Sequence, residues 1–406
     1  MPEYTLSVRG RLVLESAASD LSPSAERKFL QKARYMERTM RIKAVFIIVL
    51  TAMIAICYAA EDQDLEWKGS RTNEKGFIEV RNPIKPVYEG RTLRLEAIAT
   101  VGYLKDESEV VISEVRDFFV DDNGNVYVLD ARDSDIKKFD GSGAFLTKFG
   151  RPGQGPGDLS RPYMLFRYGN EREVGVLELM SRRLSFFDFK GSFVKSIPVT
   201  EMFVNKARSD SEGNFIFGAA TIGQDERRYT VKKFDKDMNH IGDVASSPGP
   251  IRGDPFSPLV VWELMPNGSV AFAYPSDYQI TIYASDGTIE KRILKEYKPI
   301  EVTEEESKIA KREIPPSIEY KPSKYRSAFR DLFVDEKGRL FVLTWEEGSR
   351  PGTGVFDIFD REGRYIYQVE LPGRTICWNR DNLYTVESNE QGFTVIRRYK
   401  VSWKSD

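Results

Sequence analysis

The feature that most constrains this chain is an internal repeat. Val115–Leu129 has a near copy in Phe329–Leu343, and the two share an Arg-Asp pair, a Phe-Val-Asp run, a glycine and a terminal Val-Leu. Each copy reads as a hairpin: an apolar strand, a tight polar turn that needs glycine, and a second apolar strand. Weaker copies are Ala207–Phe217, turning at Gly213, and Trp262–Phe272, turning at Gly268. Phe166–Leu177 turns at Gly169 and Asn170, and Ile376–Val386 turns at Asn379–Asn382; both lack the aligned glycine. Five of these inner hairpins are followed by an outer one, at Ile136–Leu146, Leu184–Val194, Thr230–Ile241, Ile280–Ile289 and Val355–Ile366. Six inner hairpins, with four strands in a unit of roughly 45–50 residues, predict an all-β fold, a six-bladed β-propeller of four-stranded blades. The sixth unit has only Phe393–Val401 after its inner hairpin. Thr92–Val101 alternates apolar residues and is expected to supply the missing outer strand, so that an N-terminal strand closes the ring in the last blade.

Two segments carry a resemblance. Asp121–Asp130 has the Asp-x-x-Gly-x-Val-Tyr-Val-x-Asp form of NHL-type repeats, and the glycine-rich Phe149–Asp158 looks like the link between NHL blades. On these residues the chain resembles the secreted bacterial six-bladed β-propeller family with NHL-like repeats, over about residues 65–403. The resemblance implies the fold and leaves activity open, because members of that family largely lack an assigned one. Blades two and six depart from the pattern at the glycine, and a long insertion, 295–327, precedes blade five.

The N-terminal part gives an address. Ala44–Ala60 is an uncharged apolar run of 17 residues, preceded by Arg38, Arg41 and Lys43 and followed by Glu61, Asp62 and Asp64. As a helix it spans roughly 25 Å, short of the ~30 Å hydrocarbon core of a bilayer. A basic flank, a short apolar stretch and small residues at its end read as a signal peptide over 40–60, with an uncleaved signal anchor as the other reading. Residues 1–39 are then an upstream extension or a start-site artefact, with Met36 or Met40 the natural start. Either reading places the rest outside the cytoplasm, periplasmic, secreted or anchored facing outward. Cys57 follows Ile54-Ala55-Ile56, the outline of a lipobox, and is a possible lipidation site. Membrane contact is expected only through such an anchor or lipid. Residues 61–91 are expected to form a strap on the surface of the propeller, which itself covers 92–403.

Composition excludes several chemistries. Sixty basic residues against sixty-two acidic ones leave a net charge of −2, without the basic excess nucleic acid asks for. Cys57 and Cys377 cannot make a disulfide framework, and His240 is the one histidine, so no multi-histidine metal cluster exists. Gly153–Gly157 lacks the Gly-Lys-Ser/Thr ending of a phosphate loop, and Asp121–Gly124 is a hairpin turn rather than a calcium loop. No cofactor and no metal are expected. Cys377 reads as a buried, inert thiol.

In a four-stranded blade, the first and third turns share one rim. The second-to-third loops and the links between blades share the other. The tight Gly and Asp turns therefore fall on one rim. The long segments 151–162, 219–228, 246–258, 295–327 and 345–354 fall on the opposite one, where binding residues usually sit. The insertion is expected to hold a helix starting at Thr303 with a capping box to Glu306, followed by a basic-aromatic hook of Tyr320, Tyr325 and Arg326. Arg116, Asp117, Arg330 and Asp331 begin inner strands at the channel mouth, as candidate ligand-binding residues or as Arg-Asp salt bridges between blades. Trp262, Trp345 and Trp378 read as blade-packing aromatics. The function that follows is a non-catalytic extracytoplasmic module holding an unknown protein, peptide or glycan on the long-loop rim. The alternative is a metal-assisted hydrolase or lactonase built on Glu178, Glu263 or Asp331 at the channel mouth, with no catalytic residue assigned.

Overall fold

Aspartates tie the tight turns that the repeat announces. Asp121, Asp140, Asp188, Asp210, Asp235 and Asp335 each accept, through Oδ1, the N–H groups two and four residues on, at 2.8–3.0 Å. The residue three after the aspartate sits in the left-handed region. It is glycine in five of these turns and Met238, at φ 66°, in the sixth.

The computed structural model describes residues 66–90, 92–102, 112–169, 172–201, 203–222, 227–249, 254–314, 322–373 and 376–404. The signal segment, Cys57 and Tyr320 lie outside the described residues. Two strands precede the ring, β1 (Ser70–Glu74) and β2 (Phe77–Asn82), and β3 is Thr92–Val101. Blade one is β4 (Val115–Val120), β5 (Val126–Asp130), β6 (Asp135–Phe139) and β7 (Phe145–Phe149). Blade two is β8 (Pro162–Tyr168), β9 (Glu173–Glu178), β10 (Arg183–Asp188) and β11 (Phe193–Pro198). Blade three is β12 (Val204–Ser209), β13 (Phe215–Ile222), β14 (Arg227–Phe234) and β15 (His240–Gly249). Blade four is β16 (Val261–Leu264), β17 (Val270–Ala273), β18 (Gln279–Tyr283) and β19 (Ile289–Lys295). The helix α1 (Glu304–Glu313) follows, with the predicted Thr303–Glu306 capping box formed. Blade five is β20 (Asp331–Val334), β21 (Leu340–Glu347), β22 (Thr353–Phe359) and β23 (Tyr365–Pro372), and blade six begins with β24 (Ile376–Asn379), β25 (Asn382–Ser388) and β26 (Thr394–Lys404).

The ring closes as the sequence predicts. β3 pairs antiparallel with β26, from Val101 opposite Ile396 to Thr92 opposite Lys404, and completes blade six. The apolar core is not central. It forms six layers, one between each pair of neighbouring blades. Aromatic rings dominate them. Tyr168 stacks on Phe215 at 5.2 Å between blades two and three, Tyr278 meets Phe329 at 5.0 Å, and Trp378 packs on Phe341 at 5.0 Å between blades five and six.

The segment before the ring joins a sheet. β1 and β2 form a hairpin, and β2 pairs in parallel with β19, so blade four's sheet has six strands. Asn82, 3% exposed, fastens this hairpin across two blades. Its Nδ2 donates to the carbonyls of Leu294 (3.1 Å) in blade four and Gly363 (2.9 Å) in blade five. Its Oδ1 accepts from Tyr365 N and Trp67 Nε1.

Several segments read from sequence as loops are strand. The blade-three hairpin continues through Ala219–Ile222 and Arg227–Arg228 and out to Gly249, and β21 and β22 take up much of 345–354. Short turns also occur on the long-loop rim, at Ala131–Ser134, Leu179–Arg182 and Asn389–Phe393, so tight turns are not confined to one face.

Two outcomes follow. Removing residues 61–101 opens the ring and leaves the β26 edge unpaired; size-exclusion chromatography should show association, and a monomer melting at the original temperature would refute the closure scheme. Asn82→Ala removes the partner of a buried N–H, a buried carbonyl and a part-buried carbonyl and should cost about 2–4 kcal/mol in denaturant unfolding.

Candidate functional site

Aligning the inner hairpins at their turn glycines places Asp117, Lys206 and Asp331 at one offset from Gly124, Gly213 and Gly338. The fold turns that offset into a belt, because all six inner strands line one central cavity of about 730 Å³. Several side chains of the belt reach toward the next blade. Asp117 Oδ2 accepts from Leu165 N of blade two (3.0 Å), while Oδ1 accepts from its own neighbour Phe118 N. Met164 Sδ accepts from Ala207 N of blade three (3.0 Å). Lys206 Nζ donates to Trp262 O (2.6 Å) and pairs with Glu263 Oε2 (2.8 Å), both in blade four. Arg208 clasps the same Glu263 with two parallel bonds, 2.7 and 3.0 Å.

Arg208 acts electrostatically on Asp117, Glu263, Asp331 and Cys377, groups of blades one, four, five and six. The consequences differ by group. Burial works to raise the Glu263 carboxyl, but the charges of Arg208 and Lys206 outweigh it and hold it down to about 2. Burial raises the Asp117 and Asp331 carboxyls above their usual range against weaker opposition from the same two cations. Burial also pushes the Cys377 thiol up to about 12, which keeps it protonated and unreactive, although it faces the cavity.

Both arginines that precede the belt aspartates lean on aromatic rings, and among the described residues Arg116 makes no Arg-Asp salt bridge of the kind weighed from sequence. The Arg116 guanidinium lies over the Tyr163 ring of blade two at 4.2 Å. Arg330 lies over Trp345 at 4.7 Å. The basic-aromatic hook is also committed to structure. Arg326 pairs with Glu306 of α1 and lies over Trp345 (4.8 Å) and Phe256 (5.5 Å). Val302 N donates to Lys324 O and Arg326 N to Ile300 O, which lays the hook along the segment before the helix. Tyr325 is left 40% exposed.

The carboxylates proposed for a hydrolase do not converge. Glu178 is fully buried at the end of β9 and does not line the cavity. It accepts from Ser160 N (2.7 Å), Ser185 Oγ (2.5 Å) and Arg183 Nε (2.8 Å), a fastening for the link into its own blade. Among the described residues, the three carboxylates close enough to share one metal ion are Asp130, Asp133 and Asp135. The ammonium of Lys137 lies among them, at 2.6, 2.6 and 3.1 Å. His240 is half exposed on an outer strand, 2.9 Å from Asp243.

Apolar groups mark one rim. Leu179, Met180, Phe203, Leu259 and Phe393 are exposed in the interblade links or second-to-third loops, Ile222 is exposed at the rim end of β13, and the insertion adds Ile300, Ile309 and Tyr325. The other large exposed hydrophobics lie on the strap or on outer strands. Among the described residues, no tight turn of the opposite rim carries one. Phe203 is 56% exposed and holds φ at 55°, a left-handed conformation that costs a bulky residue about 1–2 kcal/mol.

A family model described as 6-bladed beta-propeller, DUF5128, matches residues 88–311. The chain belongs to this family. The chain is also similar to solved bacterial structures. A Bacteroides fragilis protein described as exported superposes with a TM-score of 0.54 at 12% identity, covering 79% of this chain and 99% of its own. A member of the DUF4221 family from Bacteroides vulgatus gives 0.48 at 12% identity, covering 77% and 99%. Virginiamycin B lyase from Staphylococcus aureus gives 0.37 at 12%, covering 76% and 99%. A search among curated proteins returned no match.

Within this DUF5128 propeller, sequence reasoning placed Arg116, Asp117, Glu263 and Asp331 in the channel, and they line the cavity; Arg330 and Glu178, placed there too, are not among its lining residues. Sequence reasoning missed Lys206, Arg208 and Tyr163. The offset from the turn glycine carried the signal for Lys206; nothing local carried it for Tyr163. The belt also makes a pH-dependent test. Folding lowers the Glu263 carboxyl, so its stabilisation is full above about 4.5 and is lost as pH falls toward about 2. Folding raises the Asp331 carboxyl, so its contribution is full below 3.8 and is lost as pH rises through the raised value. Glu263→Gln should therefore destabilise at pH 7 by about 3 kcal/mol, with the gap closing in acid, whereas Asp331→Asn should stabilise at pH 7 and not at pH 3.5. Denaturant unfolding across pH reads both, and parallel pH curves for the two variants would refute the assignment.

Proposed function

We propose that this protein is an extracytoplasmic, non-catalytic binding module that holds a protein or peptide on its long-loop rim. The observation that carries the reading is the gathering of exposed apolar side chains on that rim, with Phe203 held there at a backbone cost. Such patches on a rigid scaffold mark interaction surfaces, and strain that persists in an exposed residue points to a use for it. The exposed groups are mostly aliphatic, which suits a protein or peptide better than a glycan. A metal-assisted hydrolase has less support, because Glu263 is paired with two cations and each oxygen of Asp117 already accepts a backbone N–H. The basic-flanked apolar run Ala44–Ala60 supports export, and the description of the Bacteroides fragilis protein of the same fold as exported agrees with it.

Two experiments test the reading. Expressed from Met36 or Met40 in a bacterium, the product should fractionate outside the cytoplasm; a soluble, full-length cytoplasmic product removes the setting. For the rim, clones selected from a displayed random-peptide library on the wild-type protein are re-assayed on variants. The triple variant Phe203→Ser, Ile222→Ser, Leu259→Ser should lower their binding at least about tenfold, while Lys190→Ser with Lys236→Ser on the tight-turn rim should not. Phe203→Gly alone should weaken binding yet stabilise the fold by about 1 kcal/mol, because glycine relieves the left-handed backbone. Clones that bind the triple variant undiminished sink the proposal.

A further inference from the structure

The inner strands of blades one, two and three share an irregularity just before the belt position, a point at which β16 and β20 of blades four and five have not yet begun. Register slips between Val115 and Asp117, between Pro162 and Met164, and between Val204 and Lys206, while β16, β20 and β24 pair without a shift. Each slip is a β-bulge with one extra residue: Arg116, Tyr163 and Asn205. Bulges re-aim side chains, and they concentrate beside functional sites. Here the same bulge recurs at one strand position on three adjacent blades, and all three extra residues line the same cavity at its long-loop end.

Their polar groups are unspent. Arg116 stands over the Tyr163 ring, and among the described residues its guanidinium donates no hydrogen bond. The Tyr163 hydroxyl and the Asn205 amide likewise have no hydrogen-bond partner among the described residues. Just beyond them, Lys206 uses two of its three donors, on Trp262 O and Glu263. Half of the mouth is thus an arc of donors, with the planar Arg116 fork held in place by an aromatic ring. The floor is different: Asp117, Glu263 and Asp331 outnumber Lys206 and Arg208 there.

We infer that this arc recognises a single carboxylate of a bound peptide. The inference rests on the peptide-binding reading of the rim and names the group that enters the channel. A planar monoanion fits the Arg116 fork through two parallel bonds. A dianionic phosphate would meet the three floor carboxylates at close range, and like charges in a partly desolvated site oppose it. The carboxylate comes from a C-terminus or from an Asp or Glu side chain, with the apolar rim holding the neighbouring residues.

The test uses the protein as recovered from the expression host, immobilised, with four pools of random hexapeptides. One has free C-termini and no acidic residue. One is amidated with a single Asp or Glu, one is amidated and neutral, and one is amidated with a phosphoserine. Mass spectrometry of the retained peptides should show at least about tenfold enrichment of one or both carboxylate pools over the neutral pool, and which pool wins identifies the source. Arg116→Ala and Asn205→Ala, both at exposed positions, should abolish that enrichment with an unchanged melting temperature, and Arg116→Lys should restore only part of it. Equal retention of the neutral pool, preference for the phosphoserine pool, no retention of any pool, or enrichment that survives Arg116→Ala each overturns the inference. Retention that the rim triple variant abolishes but Arg116→Ala spares leaves the rim reading standing and removes the carboxylate. The reverse pattern does the opposite.

Discussion

Every apolar layer in this ring lies between two blades, so no blade is buried until both of its neighbours are in place. That constraint governs the rest of the molecule. A sheet such as β5, whose residues are buried on both faces, cannot be covered from one side only. The last blade needs the first, and the chain meets the need by giving blade six a strand from its other end, β3. The strap adds a second fastening at a different place. Asn82 satisfies a carbonyl in blade four, a carbonyl and an N–H in blade five, and Trp67, so one amide joins three parts of the chain. The belt in the channel adds a third, in which Asp117, Met164, Lys206 and Arg208 each reach into the next blade.

The architecture was legible because its signals are local. An aspartate, a glycine three residues on and apolar residues either side state a hairpin without reference to anything distant. The same holds for the capping box at Thr303, where Glu306 answers within one turn of helix. What escaped is non-local. Glu178 looks like any carboxylate at a strand end; only its pairing with Ser160 N, Ser185 and Arg183 shows that it fastens a link. The hairpin ends at Ala219–Ile222 and Arg227–Arg228 carry exposed positions and read as loop, yet they pair in register. The strap reads as an irregular leader, although Ile78 and Val80 alternate, because its parallel partner β19 lies more than two hundred residues away.

The candidate site divides in the same way. Arg116, Asp117 and Asp331 could be read because the repeat duplicates them. The ring under Arg116 could not, since Tyr163 lies in the hairpin of the next blade. A bulge is harder still. It is a property of two strands in register, and the residues Arg116, Tyr163 and Asn205 have no common chemistry until the slips align them. Tyr325 and Arg326 illustrate the opposite error. A basic-aromatic cluster suggests a free hook, but Glu306, Phe256 and Trp345 consume its arginine.

The two rims follow different physical rules. On the tight-turn rim, an aspartate that accepts two N–H groups and a residue with positive φ leave little freedom to change length or composition. On the other rim, Asp130 and Glu178, at the ends of β5 and β9, secure the link that enters their own blade, and beyond those anchors the chain is free to vary. The anchors matter because they separate stability from surface. Buried Asp130 receives Ser113 N and Glu114 N from the link and holds the buried Lys137, while the side chains of Leu179, Met180 and Phe203 stand exposed. A rim built this way can carry exposed apolar groups and even a strained phenylalanine without loosening the blades beneath. The same separation lets three bulges perturb the inner strands of blades one to three while the interblade layers behind them stay intact.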